Sequence, residues 1–332
     1  MNCTLKPMAR VVAGCVATLA LAACGNDTGS EEYTQPVFGA TTYTQLKVDG
    51  YTFKDMNRNG KIDLYEDWRL SAEARADDLL SRMSLDEKAG LMMHGTAPTV
   101  SDPSGIGLGG AYDLTALQDL IVKQYVNTFI TRMAGDTANM ASQYNKVQAL
   151  SETSRHGIPV SISTDPRHHF QYTVGASAGT KGFSQWPETL GLAAIGDDAL
   201  VRRFGDIARQ EYLAVGITQA LSPQADLATE PRWSRINGTF GEDADLAKRM
   251  VQQYIEGFQD GNTGLHDGSV VAVVKHWVGY GATKEGYDGH NYYGRYMTYP
   301  GNNFAYHVKP FEGAFTAKAA SVMPTYAMPD GN

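Results

Sequence analysis

The sequence predicts an α/β fold of the (β/α)8 TIM-barrel type, and three observations predict it. Stretches with strand periodicity alternate with stretches of helical periodicity, and no glycine-rich phosphate loop follows the early strands, which weighs against a doubly wound sheet. Successive late strands also stop at charged or aromatic side chains, as expected where a site is built at the C-terminal ends of barrel strands. About six of the eight units are countable, so the barrel reads as incomplete at its C-terminus.

Apolar runs at Gly107–Tyr112 and Val126–Ile130 read as the first two strands. Ser84-Leu-Asp-Glu87 is a capping box opening a helix over Leu85–Met93, and Thr137–Arg155 keeps helical spacing until Gly157 and Pro159. Then come strand Ile158–Thr164, helix Ala199–Val215 closed by Gly216, strand Ile217–Leu221, helix Ala244–Phe258, strand Val270–Val274, a helix near Phe311–Ala319 and strand Ser321–Met323.

Ahead of the barrel, Lys6 and Arg10 precede an apolar run, Val11–Ala23, too short to span a bilayer core that needs about 20 residues. It reads as an export signal. Its end, Leu21-Ala22-Ala23-Cys24, resembles the bacterial lipoprotein box, which makes Cys24 the lipidated mature N-terminus and, with Gly25 rather than Asp next, points to the outer membrane, facing the periplasm or cell surface. Cys3 and Cys15 leave with the signal, so no intrachain disulfide can form. The expected organisation is a lipoprotein signal peptide at 1–23, a tether and lead-in at 24–50, a calcium-loop-like segment at 51–70 and the barrel at 71–332.

Within that third segment, Asp55, Asn57, Asn59, Asp63 and Glu66 occupy positions 1, 3, 5, 9 and 12 of an EF-hand loop, with Gly60 at the sharp turn and the Lys61 carbonyl at position 7. These oxygens suit Ca2+. Two Asn ligands lower the charge, so the expected affinity is weak, about 0.1–1 mM. The competing reading is an Asx-turn knot that caps a helix starting near Asp67.

The 332 residues carry a formal charge of −8, which argues against nucleic acid or an anionic membrane as partner and leaves the lipid anchor as the membrane contact. A hydrophobic share of 42% with 19% charged residues excludes a disordered chain. The polar residues at strand ends favour a neutral, hydroxylated ligand. Asp165-Pro166-Arg167, the segment Asp226–Arg235, Lys275-His276-Trp277 and Thr325-Tyr326 follow four consecutive late strands and converge on one mouth. On the residues alone Asp165 suits a nucleophile, because cations beside it keep it ionised.

The motifs MSLDEKAGLM (83–92), GIPVSISTDPRH (157–168), PQADLATEPRWSRINGTFGED (223–243), VVKHWVGYGA (273–282), DGHNYYGRY (288–296) and SVMPTYAMPDG (321–331) come in one order. Together they resemble the N-terminal barrel of glycoside hydrolase family 3, in its bacterial β-glucosidase branch, from about Tyr51 to Asn332. The resemblance implies that Asp165, Arg235, Lys275, His276 and Tyr326 surround the sugar at the cleavage subsite, and it moves Asp165 from nucleophile to binding residue. In that arrangement Asp165 accepts from sugar hydroxyls while Lys275, His276 and Arg235 are expected to donate to others. The resemblance implies a retaining, exo-acting β-glucosidase acting on β-glucosides or oligosaccharides, with no cofactor for catalysis. The nucleophile Asp and the acid/base are expected beyond Asn332, so the chain reads as a truncated, inactive piece of the enzyme. Family members that cleave N-acetylglucosamine carry KHxxGHGxxxxDSH. Here Tyr280 replaces the inner His, Gly289 the Ser, and two residues are extra, so Asp288 and His290 are imperfect matches and hexosaminidase ranks second. A catalytically dead carbohydrate-binding lipoprotein is the rival of a different class.

Overall fold

The computed structural model of the chain describes residues 33–39, 41–170 and 177–330. The export signal and Cys24 lie outside them. Residues 33–37, the described part of the unit Met1–Val37, carry no helix or strand; the described helices and strands all belong to the second unit, Phe38–Asn332.

This second unit opens with an antiparallel hairpin of β1 (Thr44–Val48) and β2 (Tyr51–Asp55), in register from Thr44 opposite Asp55 to Val48 opposite Tyr51. Asp49 and Gly50 both have positive φ, the backbone of a primed two-residue turn whose twist matches the strands. Trp68 stacks on Phe53 with ring centroids 5.5 Å apart and anchors the hairpin. Two helices come next, α1 (Ala72–Arg82) and α2 (Leu85–Leu91). The capping box of α2 is formed: Ser84 Oγ accepts the Glu87 N–H at 3.2 Å and the Glu87 carboxylate accepts that of Ser84 at 2.7 Å.

A six-stranded, all-parallel sheet carries the rest. Its strands are β3 (His94–Thr96), β4 (Thr128–Ile130), β5 (Ser161–Thr164), β6 (Gln219–Ala220), β7 (Val271–Trp277) and, last, Ser321–Pro324. Between them run α3 (Leu114–Gln118), α4 (Thr137–Ser151), α5 (Thr189–Ile195), α6 (Asp198–Val215) and α7 (Ala244–Gln259). A short strand β8 (Tyr296–Met297), then α8 (Phe304–Thr316), precede the sixth sheet strand, which is β9; β10 (Met328–Pro329) pairs with β8. Strand order follows chain order, as in a sheet wound in one direction toward a barrel. The result is a half-barrel.

Side-chain alternation sorts the strands into two faces. Phe129, Ile162, Ala220, Ala272 and Val274 point outward into the large core under the helices, whereas Ile130, Leu221 and Val273 form a small inner layer with Val271 and Met323. The outer core holds a run of rings, with Tyr254 stacked on Phe258 at 4.8 Å and Phe204 at 5.5 Å from Tyr254. Helices α6 and α7 approach through glycine: a Cβ on Gly257 would lie 2.4 Å from the Arg202 carbonyl and 2.8 Å from the Gly205 Cα.

Four expectations change. Residues Gly107–Tyr112 are not a strand; the first sheet strand is His94–Thr96. Glycines at 105, 107, 109 and 110 give that run little to pleat, Gly107 has φ +84°, and Asp102 gathers the Gly107 and Leu108 N–H groups into a loop. Residues 44–48, expected in the tether, are instead half of the hairpin, so 44–66 is one structural stretch. No helix starts near Asp67: a 3-10 turn covers Leu64–Glu66, and α1 begins at Ala72 behind the Ser71 cap. The last helix starts at Phe304, earlier than Pro310 suggests, because the proline lies buried within it.

Candidate functional site

Residues two positions beyond the inner layer stand one pleat higher, at the C-terminal mouth of the sheet. Lys275 follows Val273 in this way, Asp165 follows Ser163, and Arg132 follows Ile130. Lys275 Nζ donates to Asp165 Oδ1 at 3.2 Å, and both residues are buried. Burial pushes the Lys275 ammonium below its ordinary range while Asp165 opposes the shift. The pair is therefore a desolvated charge pair on the wall of the mouth.

Next to it, His276 is held by Asp226. Its Nδ1 lies 2.7 Å from Asp226 Oδ2 and its backbone N–H donates to Oδ1 at 3.3 Å. A carboxylate oxygen accepts, so the ring hydrogen sits on Nδ1. Burial, partly offset by Asp226, lowers the His276 pKa to about 4, so the ring is neutral at pH 7 and its Nε2 is an acceptor. That Nε2 is buried without a partner among the described residues. The expectation that His276 donates to a ligand therefore changes: it accepts.

Arg235 completes this wall. Its Nη2 donates to Gln224 Oε1 at 3.2 Å, Gln224 Nε2 donates to the Arg235 carbonyl at 3.1 Å, and the guanidinium lies 5.7 Å from the Tyr280 ring and 6.0 Å from the Trp233 ring. Its Nε is also buried and unpartnered among the described residues. Tyr326, beyond β9, places its ring 5.4 Å from that of His276 and 3.9 Å from that of His290. His290 Nδ1 is 2.6 Å from Asp288 Oδ1, which also accepts the Tyr280 hydroxyl at 3.0 Å. Burial raises the Asp288 pKa, but the His290 backbone N–H and ring outweigh it and hold the carboxyl below its usual range.

The structure thus brings Asp165, Arg235, Lys275, His276 and Tyr326 to one mouth, with Asp288 and His290 at its rim. Arg167, in the same strand-end segment as Asp165, turns away: it is buried, bonding Thr164 Oγ1 at 2.8 Å and the Met133 and Thr131 carbonyls at 3.2 and 3.1 Å. Sequence reasoning passed over Gln224 and Asp226 as individual residues, and Arg132 altogether. Period-two counting from Ile130 would have found Arg132.

The loop at 55–66 closes on itself. Asp55 accepts the Asn59 and Gly60 N–H groups, Glu66 accepts those of Met56, Asn57 and Asp63, and Asp63 Oδ2 takes both Asn57 Nδ2 at 2.6 Å and Asn59 Nδ2 at 2.7 Å. Arg82 contacts the other Asp63 oxygen at 3.0 Å. Each carboxylate oxygen of the loop has a nitrogen donor, and no group of three or more His, Cys, Asp or Glu among the described residues is arranged to hold a metal ion. In this arrangement the carboxylates are held as in an Asx-turn knot, and a cation would have to displace the nitrogen donors.

Comparison with known proteins places these features. The glycosyl hydrolase family 3 N-terminal domain matches residues 84–332. The chain is 61% identical over 284 residues to a periplasmic beta-glucosidase/beta-xylosidase of Dickeya chrysanthemi, covering 85% of this chain and 43% of the relative. It is 43% identical over 283 residues to beta-glucosidase C of Emericella nidulans, covering 83% and 44%. The chain spans less than half the length of these relatives. Among solved structures, the beta-glucosidase of Listeria innocua superposes with a TM-score of 0.60 at 22% identity, over 79% of this chain and 34% of that one.

Proposed function

The chain belongs to glycoside hydrolase family 3 through its N-terminal domain, and from that premise we propose that it supplies the sugar-binding half-barrel of a retaining, exo-acting β-glucosidase, the half-barrel being part of a (β/α)8 barrel. Its substrates are β-glucosides or oligosaccharides with a terminal non-reducing β-D-glucosyl residue. The names of the Dickeya and Emericella relatives support this reading.

The observation that carries it is the pair of unpartnered buried nitrogens beside the Asp165–Lys275 pair. His276 Nε2 needs a donor and Arg235 Nε needs an acceptor. A hydroxyl is both at once, so a neutral polyol satisfies the two where a carboxylate or an ammonium satisfies one. Asp165 accepts from sugar hydroxyls and Lys275 donates, fixing ring orientation with charge-assisted bonds. Contacts to the 2-hydroxyl strengthen as the anomeric carbon gains oxocarbenium character, which favours the transition state over bound substrate. The family's mechanism adds a carboxylate nucleophile and a carboxylic acid, and the resemblance assigns neither to a residue of this sequence.

The test is turnover of an aryl β-glucoside by the protein as the cell makes it, with and without Asp165→Ala. The expected loss is at least about 100-fold. Unchanged turnover, or faster release of N-acetylglucosamine than of glucose, overturns the reading.

Two further expectations belong with this proposal. The protein is exported and lipid-anchored at Cys24 on the outer membrane; the periplasmic designation of the Dickeya relative supports export, and an intact mass showing an unmodified N-terminus elsewhere would refute the anchor. The 55–66 loop binds Ca2+ weakly, because an ion has to displace the nitrogen donors that already hold the carboxylates.

A further inference from the structure

Arg132 is the cation at the mouth that no motif accounts for. It stands at the end of β4, one pleat above Ile130 of the inner layer, and so faces the same space as Asp165 on the neighbouring strand. A guanidinium has five N–H donors. Among the described residues Arg132 uses one of them, Nη1 to the Ile106 carbonyl at 3.2 Å; it makes no ion pair, and its Nε is buried without a partner. Its charge is felt across the mouth: burial raises the Tyr326 phenol pKa, and Arg132, after Arg235, opposes that shift.

A guanidinium with one donor engaged beside a sugar-holding carboxylate is a donor array waiting for acceptors. Its side of the mouth is informative. Lys275 and His276 lie on β7, Arg235 beyond β6 and Tyr326 beyond β9, so these groups form one wall; Arg132, just beyond β4, forms the other, with Asp165, just beyond β5, between them. A pyranose held between two walls presents a different edge to each. One is the C2–C3 edge with two ring hydroxyls, which matches the wall of several donors and acceptors. The other is the C5–O5 edge, which carries the ring oxygen and, in glucose, the hydroxymethyl group. A lone donor fork suits that second edge, because both of its oxygens accept.

We propose that Arg132 binds the C5–O5 edge of the terminal sugar and grips the 6-hydroxyl of glucose, making it the residue that separates a hexose from a pentose lacking C6. The inference rests on the sugar-binding reading of the site.

Calorimetric titration of the whole chain with glucose and with xylose tests it, in the wild-type protein and in Arg132→Ala, Arg132→Lys and Asp165→Asn. The expected result is a loss of about 10- to 100-fold in glucose affinity in Arg132→Ala, with a clearly smaller loss for xylose, which keeps only the ring oxygen of that edge, and Arg132→Lys in between. Asp165→Asn should weaken both sugars alike. If Arg132 only braced the Ile106 loop, both sugars would weaken together and the glucose-to-xylose ratio would stay, which overturns the proposal. Equal affinities of wild type and Arg132→Ala for glucose, with Asp165→Asn impaired, overturn it too while leaving the sugar site standing. A wild-type chain that binds neither sugar overturns both.

Discussion

Asp226 fixes the tautomer of His276. The carboxylate accepts from both the ring Nδ1 and the backbone N–H of that histidine, and both side chains are buried. The ring consequently offers a bare Nε2 at the mouth. In Asp226→Asn the amide can donate to Nδ1, which moves the ring hydrogen to Nε2 and turns an acceptor into a donor. Glucose affinity should fall about tenfold or more, and 15N chemical shifts of the imidazole should report the exchanged tautomer. An unchanged tautomer with weakened binding would mean that Asp226 acts only through packing.

Acid should destabilise the protein through buried histidines. Burial lowers His169, His276 and His307 each to about 4, from 6.5. Between these values the unfolded chain binds more protons than the folded one, so the contribution is complete above about pH 6.5 and is lost as pH falls through about 4. Each such group is worth on the order of 3 kcal/mol. Melting temperature followed from pH 7.5 to 4 should stay level down to about 6.5 and then decline; a flat profile across that window would contradict the burial of these rings.

Removing one member of the Asp165–Lys275 pair should cost more than removing both. Asp165→Ala leaves a buried ammonium without a counter-charge, a penalty of about 3–5 kcal/mol, whereas Asp165→Ala combined with Lys275→Met should recover most of the loss. Urea denaturation measures the stability and glucose titration the function. Sugar binding should remain absent in the double variant.

At the 55–66 loop, Glu66→Gln should separate two effects. Glu66 is buried and accepts three backbone N–H groups, so its loss should destabilise the hairpin region by about 1–3 kcal/mol in the presence of a chelator. If the loop also takes calcium, millimolar Ca2+ should raise the melting temperature of the wild type and leave Glu66→Gln unmoved. No thermal shift in either protein would refute calcium binding.

Gly257→Ala should be among the costliest single-methyl changes. The added carbon meets only α6 backbone, at the Arg202 carbonyl, the Gly205 Cα and the Asp206 nitrogen, and none of these can give way without separating the helices. The expected cost is about 1–3 kcal/mol or more, read as a lower denaturation midpoint with unchanged slope.

Much of this architecture is legible in the sequence. Helices such as Asp198–Val215 and Ala244–Gln259 announce themselves by period, an Asp cap and, in the first, Gly216 in the left-handed region. The strand ends carrying Asp165 and Lys275 are readable because a polar side chain interrupts an apolar β-rich run. His94–Thr96 is not, since three residues, His, Gly and Thr, have no periodicity to read, and the glycine-bearing Gly107–Tyr112 run imitates the missing strand. The hairpin escapes for another reason: Asp49-Gly50 is a strong turn signal, but the flank before it, Thr44–Val48, is largely exposed and lacks the clean alternation of a buried strand. Arg132 escapes because its role depends on which face of a three-residue strand it shares, and that face is set by packing against Leu221 and Val273, far along the chain.

The aromatic setting of Arg235 has an optical consequence. Trp233 is buried with its ring 5.0 Å from Tyr280 and 6.0 Å from the Arg235 guanidinium, so its indole emission responds to the position of that cation. A sugar that engages Arg235 Nε shifts the charge relative to the ring and changes the emission. Trp68, Trp186 and Trp277 lie in other surroundings, against Phe53, Phe204 and Phe311, and can be replaced by Phe to leave Trp233 as the lone reporter. Occupancy of the mouth then becomes visible by intrinsic fluorescence, with no chromogenic leaving group and no bond broken.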